Sequence, residues 1–105
     1  MKKILIFTAT YNEINNVEKL IYKIRNICAD TDILIVDDNS PDGTGKLLKE
    51  KEQKDSKLNV IVRAEKLGLD TAHKLAYDYA ITNDYDCLIT MDADLSHNPS
   101  EIPNF

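Results

Sequence analysis

Two aspartates separated by one alanine, Asp92 and Asp94, follow a short apolar run in this 105-residue chain. In extended backbone, side chains two residues apart face the same way, so both carboxylates can reach one point. Two such charges about 4 Å apart repel by ~4 kcal/mol at an effective dielectric of about 20, and a cation relieves that repulsion. The spacing therefore predicts a site for Mg²⁺ or Mn²⁺, which suit one or two carboxylates completed by phosphate oxygens and water. Small Ala93 leaves room for a ligand near the backbone.

A second acidic pair, Asp37 and Asp38, follows another apolar run. Adjacent residues of a strand point to opposite faces, so the two carboxylates are expected to do different work. One is expected to accept amide hydrogen bonds from the following loop. The other is expected to accept the N–H groups of a nucleobase or the hydroxyls of a ribose. The alternative is that both only cap this loop, whose residues 40–43 match a type I turn.

Tyr11 and Glu13 follow the first apolar run of the chain. The Tyr11 ring can stack on a nucleobase, and Glu13 can bind a polar edge of a base or ribose. Thr10 and Glu13 also have the spacing of a helix capping box, which is a competing use for Glu13. Farther along the chain, Arg63 and Lys66 precede a predicted helix start, a neighbourhood that favours a diphosphate, although either cation alone is more often a surface charge.

The polar residues above all follow short apolar runs with the length of strands. These runs occupy residues 4–7, 33–36, 58–62 and 87–91. Most of them barely alternate with polar residues, which suits strands buried on both faces of a parallel sheet. Ligands bind outside the carboxyl ends of the strands in such a sheet, which is where the polar residues fall.

Helical stretches are predicted between these runs. Apolar residues repeat on one helix face over residues 17–28 and 72–80, with Asp70 or Thr71 as the N-cap of the second stretch. Residues 46–55 predict a short and largely solvated helix. The order β-α-β-α-β-α-β predicts an α/β fold with a Rossmann-like, mostly parallel sheet.

Composition limits the classes of partner. Lys and Arg number 13 against 18 Asp and Glu, and a net charge of −5 argues against nucleic-acid binding, which needs a basic face. The two cysteines, Cys28 and Cys87, each lie in an apolar pattern, which favours buried thiols in a reducing compartment, and the absence of a CxxC pair argues against a zinc or redox site. The sequence has neither a signal-peptide pattern nor an apolar run of the ~20 residues that span a bilayer. We therefore predict a cytoplasmic location.

Four motifs occur together in a recognisable order and spacing: TYNE at 10–13, IVDDNSPDGT at 35–44, KLGL at 66–69 and MDADLSH at 91–97. They resemble the family 2 glycosyltransferases of the GT-A fold, and among these the dolichol-phosphate (polyprenyl-phosphate) mannosyltransferases. The resemblance covers nearly the whole chain. Because the family's catalytic domain is longer, residues 1–105 are expected to be its N-terminal, nucleotide-sugar-binding half, a truncated GT-A domain.

The resemblance also implies roles for individual residues. The nucleotide-binding positions are Ala9, Tyr11, Glu13, Val36, Asp38 and Ala93; the metal positions are Asp92, Asp94 and Ser96; Asp92 and Asp94 are also the catalytic positions. Three residues depart from the family pattern: Ala9 stands where the family usually has proline, Asp70 where it usually has glycine, and His73 where it favours tyrosine.

The function that the resemblance implies is transfer of a sugar from a nucleotide-diphosphate donor, GDP-mannose or a UDP-sugar, with inversion at the anomeric carbon. The expected acceptor is a polyprenyl or dolichyl phosphate, or else a sugar, and the expected cofactor is Mg²⁺ or Mn²⁺. A lipid acceptor implies association with the cytoplasmic face of a membrane, and the chain is also expected to self-associate. Two alternatives are a phosphorylation-receiver-like signalling domain and a catalytically inactive nucleotide-binding fragment.

Overall fold

The fold is a four-stranded parallel sheet with helices on both faces. The computed structural model describes residues 3–12, 14–27, 30–38, 40–64 and 69–91. The elements are β1 (Ile4–Thr10), α1 (Ile14–Ile27), β2 (Asp32–Asp37), α2 (Thr44–Lys54), β3 (Leu58–Val62), α3 (Leu69–Thr82) and β4 (Cys87–Thr90). All strand pairs are parallel, and the strand order is β3-β2-β1-β4. The predicted α/β class and element order are confirmed.

The apolar strands supply both faces of the core because successive side chains alternate across the sheet. On β1, Ile6 faces the cluster formed with α1 and α2, whereas Leu5 and Phe7 face the cluster formed with α3. All three side chains are buried. The alanines of α3 that pack on this second face, Ala72, Ala76 and Ala80, are small and let the helix approach closely.

The strand order reverses direction at β1. The chain moves from β1 outward to β3 and then returns, through α3 on the opposite face, to place β4 on the other side of β1. In open α/β sheets, the crevice at such a reversal, outside the carboxyl ends of the strands, is where ligands bind. The topology therefore predicts that a ligand binds at the loops that follow β1, β2 and β4.

β1 extends three residues beyond its predicted end at residue 7. Thr8, Ala9 and Thr10 continue the ladder by pairing with Ile35, Val36 and Asp37 of β2. The predicted capping box is therefore wrong, because Thr10 belongs to the strand and its hydroxyl donates to the Asp37 carboxylate at 2.6 Å. The two threonines are β-branched and fit a strand despite their polar atoms.

The ends of the other two helices also differ from their predicted ends. α2 spans Thr44–Lys54 rather than residues 46–55, and only Thr44, Gly45 and Leu48 are buried, so the helix is largely solvated as predicted. α3 begins at Leu69, so Asp70 and Thr71 lie in its first turn and neither is its N-cap. Among the described helices, none combines the length and apolar character needed to cross a membrane.

Gly45 packs its backbone against the end of β2. A Cβ at this position would lie 2.9 Å from Oδ2 of Asp37 and 3.2 Å from a methyl group of Val62. We expect Gly45→Ala to destabilise the fold by about 1–3 kcal/mol from overpacking, which outweighs the ~1 kcal/mol that alanine gains in helix propensity. Urea unfolding measures this change. The exposed Gln53→Ala on the same helix is the control, with an expected change within about 0.5 kcal/mol. A Gly45→Ala protein more stable than the parent would contradict the contact.

Candidate functional site

The carboxyl ends of β1 and β2 bring four of the predicted site residues to one rim. Ala9 and Val36 are register partners, and the amide of Asp38 donates to the Thr10 carbonyl at 3.1 Å. Tyr11 follows β1 and is exposed at this rim. The Val36 side chain is completely buried in the core cluster on the α3 side. The Val36 side chain is therefore not accessible to a ligand at the rim.

Asp37 organises the loop that follows β2. Its carboxylate is fully buried and accepts hydrogen bonds from the Ser40 amide at 3.0 Å, the Ser40 hydroxyl at 2.6 Å and the Thr10 hydroxyl at 2.6 Å. The prediction that one aspartate of the pair accepts a loop amide is confirmed, and the structure identifies it as Asp37. These contacts join the end of β1 to the loop after β2.

Asp38 has a different environment, as the alternation of side chains predicts. Its carboxylate receives two parallel hydrogen bonds from the Arg63 guanidinium, one from Nε and one from Nη2 at 2.8 Å. The side chains of Arg63 and Asp38 are only 9% and 10% exposed. A paired carboxylate of this kind can still accept further donors, because an ionised carboxylate has about four lone-pair positions.

Arg63 was expected near a diphosphate, but its guanidinium forms hydrogen bonds with side chains of the protein. Besides the two bonds to Asp38, its Nη1 donates to the Thr71 hydroxyl at 2.8 Å, and its amide donates to the Asp37 carbonyl at 2.8 Å. The register between β2 and β3 brings Arg63 beside Asp38, and this pair was not predicted from the sequence. Asp37 pairs with Val62, so the next residues, Asp38 and Arg63, leave adjacent strands side by side.

The loops after β1 and β2 are joined directly. The Ser40 hydroxyl accepts from the Asn12 amide at 2.9 Å, and the Asp42 carboxylate accepts from the Ile14 amide at 3.2 Å. Asn12 holds a left-handed backbone with φ 56°. A turn is present at residues 40–43, as predicted, with the Gly43 amide donating to the Ser40 carbonyl at 3.4 Å, and its type I geometry stays a prediction.

Asp42 also binds the start of α2, through the amide of Thr44 at 3.0 Å and through its hydroxyl. Desolvation acts to raise the pKa of Asp42, but the hydrogen bonds from Thr44 and Ile14 outweigh it and lower the pKa below 3.8. The ionised carboxylate is therefore the form that fits this junction.

We expect the Asp42 contacts to make stability depend on pH in acid. A folded-state pKa below the unfolded value gives a contribution that is present above pH 3.8 and is lost as the pH falls through the folded pKa. Asp42→Asn should be less stable than the parent at neutral pH, and the difference should shrink in acid. Urea unfolding between about pH 6 and pH 3 measures this. The exposed Asp78→Asn on α3 is the control, and a difference that grows in acid would contradict the assignment.

Five predicted site residues lie outside the described part of the chain. They are Glu13, Asp92, Ala93, Asp94 and Ser96, and Lys66, the second cation predicted near a diphosphate, also lies outside it. β4 precedes four of them in the sequence and lies at one edge of the described sheet beside β1, where the Met91 amide donates to the Phe7 carbonyl at 2.9 Å. Within the described ranges, no three His, Cys, Asp or Glu side chains gather as a metal site would require. The metal prediction therefore still depends on Asp92 and Asp94.

Comparison with known proteins points to one family. The family model described as glycosyl transferase family 2 matches residues 5–105. The chain is 37% identical over 102 residues to the polyprenol monophosphomannose synthase of Mycolicibacterium smegmatis, and 36% identical over 101 residues to the undecaprenyl-phosphate mannosyltransferase of Micrococcus luteus. These alignments cover 96% of this chain but only 38% and 42% of the two relatives. The family match favours the glycosyltransferase interpretation over the receiver-domain alternative.

A solved structure shares the fold. A mannosyltransferase from Pyrobaculum calidifontis, in complex with GDP-Man and Mn²⁺, superimposes with a TM-score of 0.79 at 20% sequence identity. The superposition covers 95% of this chain and 30% of the other. At this identity the likeness supports the fold, and the sugar donor and ion named with that structure belong to that protein.

Proposed function

Because the chain belongs to glycosyl transferase family 2, we propose that it binds the nucleotide of a sugar donor at the carboxyl ends of β1 and β2. In this proposal residues 1–105 are the donor-binding half of a catalytic domain. Tyr11 and Asp38 contact the nucleoside, and the polar residues after β4 hold the diphosphate through a divalent cation. The observation that carries the proposal is the nearly buried Asp38 carboxylate, which is fixed at the rim where the strand order reverses.

The proposed donor is GDP-mannose and the proposed acceptor is a polyprenyl phosphate. The names of the two relatives support the mannosyl group and the lipid phosphate, and the related fold was solved with GDP-Man and Mn²⁺. A lipid acceptor would place the reaction at a membrane surface. Self-association is also part of the proposal, and the exposed Tyr77 and Ile81 of α3 are compatible with it.

The proposed reaction is a direct displacement. An oxygen of the acceptor phosphate forms a bond to the anomeric carbon of the sugar, while the bond from that carbon to the donor diphosphate breaks and the nucleoside diphosphate leaves. The second pKa of a phosphate monoester is about 6, so this nucleophile is ionised at neutral pH and needs no dedicated base. The protein then has to bind the donor and stabilise the leaving group more strongly as the bond breaks.

Asp92 and Asp94 are the residues that would hold the divalent cation, with Ser96 as a further ligand. β4 ends at Thr90 on the ligand-binding edge, and the sequence then continues into two carboxylates at alternate positions, a donor set that fits Mg²⁺ or Mn²⁺. When bound, the cation neutralises negative charge on the departing diphosphate. Asp38 and Tyr11 orient the nucleoside at the other end of the donor.

Calorimetric titration of the 105-residue protein with GDP and UDP tests the proposal. We expect saturable binding of a nucleoside diphosphate in Mn²⁺ or Mg²⁺, and much weaker binding after chelation of the metal with EDTA. Binding of neither nucleotide under any of these conditions would overturn the proposal. Transfer of mannose from GDP-mannose to a polyprenyl phosphate then separates an active transferase from the alternative of an inactive nucleotide-binding fragment, which binds without turnover.

A further inference from the structure

We propose that Arg63 is a positioning residue that sets specificity for the nucleoside by fixing the Asp38 carboxylate. This inference rests on the proposed function, because it assumes that Asp38 contacts the base or ribose. Arg63 is the first residue after β3, and Asp38 is the first residue after β2. Two guanidinium nitrogens of Arg63 bond the two carboxylate oxygens of Asp38, one to each.

The geometry distinguishes this pair from an ordinary surface ion pair. Exposed pairs contribute little because water screens them and flexible side chains must be ordered to form them. Here both side chains are about nine-tenths buried, and the contact is bidentate, which fixes direction as well as distance. The third contact, from Nη1 to the Thr71 hydroxyl on α3, holds the far side of the guanidinium. Arg63 thereby joins β2, β3 and α3 at the rim.

A fixed carboxylate can discriminate between ligands, whereas a mobile one adapts to them. With both oxygens held by Arg63, the remaining lone pairs of Asp38 point in set directions, so only a nucleoside with donors in those directions is accepted. Binding also avoids the entropy cost of ordering the Asp38 side chain. Three of the five guanidinium N–H donors bond Asp38 and Thr71, so these three are not expected to transfer to the donor phosphates.

The test compares Arg63→Gln, Arg63→Lys and the parent by calorimetry, with three probes: GDP with Mn²⁺, UDP with Mn²⁺, and inorganic pyrophosphate with Mn²⁺. Arg63→Gln should weaken binding of the preferred nucleotide about tenfold, as expected for loss of a charge-assisted contact. The preference between GDP and UDP should narrow, while pyrophosphate binding stays unchanged. Arg63→Lys keeps the charge but not the bidentate geometry and should give an intermediate loss.

The matched control is Arg25→Gln. Arg25 also forms a partly buried ion pair with an aspartate, at 2.8 Å from Asp55, but it lies in the last turn of α1, near the amino ends of the strands, and bonds the Thr31 carbonyl there. This variant should lower stability without changing affinity for any of the three probes. Affinity losses equal to those of Arg63→Gln would mean that the effect is general destabilisation, which overturns the proposal.

A double-mutant cycle tests whether Arg63 acts through Asp38. If it does, Arg63→Gln should change affinity by less than about twofold in a protein that already carries Asp38→Asn, because coupled residues are not additive. Losses that multiply, or an equal fall in pyrophosphate binding, would show that Arg63 contacts the ligand itself and would overturn the proposal. If Arg63→Gln does not fold, Thr71→Val replaces it: loss of the Nη1 acceptor should weaken nucleotide binding roughly threefold, and unchanged affinity would be evidence against the proposal.

The two proposals fail in different ways. If the parent protein binds neither nucleotide with Mn²⁺, both the proposed function and the role of Arg63 are overturned. If the parent binds a nucleotide and Arg63→Gln binds it equally well with the same preference, the proposed function stands and the role of Arg63 alone is wrong.

Discussion

Replacing Asp37 with alanine should lower the free energy of unfolding by about 3 kcal/mol or more, because each buried polar group left without a partner costs ~1–3 kcal/mol. The Asp37 carboxylate accepts from the hydroxyl of Thr10 and from both the amide and the hydroxyl of Ser40. Thr10 is buried and Ser40 is half-buried, so water does not fully replace the lost acceptor. Urea unfolding monitored by circular dichroism measures the change.

Asp37→Asn is a second test of the same contacts, because asparagine keeps the shape of the side chain and one acceptor oxygen. We expect a smaller loss than with alanine. Asp78→Ala, at an exposed carboxylate of α3, is the control and should change stability by no more than about 0.5 kcal/mol. If Asp37→Ala and Asp78→Ala were equally stable, the view that Asp37 holds the two loops together would be wrong.

Asp94→Asn should weaken Mn²⁺-linked binding of a nucleoside diphosphate about tenfold or more, because a charge-assisted contact is worth ~1.5–3 kcal/mol. The reason is the loss of one of two carboxylates at alternate positions after β4. The residual affinity in EDTA should be the same for the variant and the parent, since that binding does not use the ion. Calorimetry with and without Mn²⁺ measures both values.

Asp78→Asn again serves as the control, because it removes one negative charge far along α3 from the carboxyl edge. It should leave the Mn²⁺-dependent affinity unchanged. An Asp94→Asn protein that retains the full affinity of the parent in Mn²⁺ would contradict the assignment of Asp94 as a metal ligand.

The sheet was predictable from the sequence because its strands are continuous apolar runs. Such runs require burial on both faces, and together with the helical spacing between them they leave a parallel α/β sheet as the consistent arrangement. The last three residues of β1 were missed because Thr8 and Thr10 interrupt the apolar run. Their pairing with Ile35 and Asp37 is a tertiary contact that local pattern does not record.

The sequence predicted which residues lie at the candidate site, but it did not predict which side chains bond to one another. Alternation along a strand showed that Asp37 and Asp38 have different roles, but their assignment depends on which face carries Ser40 and which carries Arg63. The capping-box prediction failed because a local sequence pattern does not show a partner from a distant part of the chain. Thr10 is the last residue of β1, and its hydroxyl bonds the buried Asp37 carboxylate, 27 residues away, rather than the start of α1.

The tie between Asp42 and the start of α1 has a consequence for the order of folding events. The amide of Ile14 finds its carboxylate 28 residues later, so the contact forms only after the β1-α1-β2 unit has closed a long loop. The two rim loops should therefore open and close as one cooperative unit. In native-state hydrogen exchange, the amides of Asn12, Ile14, Ser40 and Thr44 should share one opening free energy, and Asp42→Asn should lower it for all four together. The two rim loops would then become ordered in the same cooperative step in which α1 and α2 begin to form.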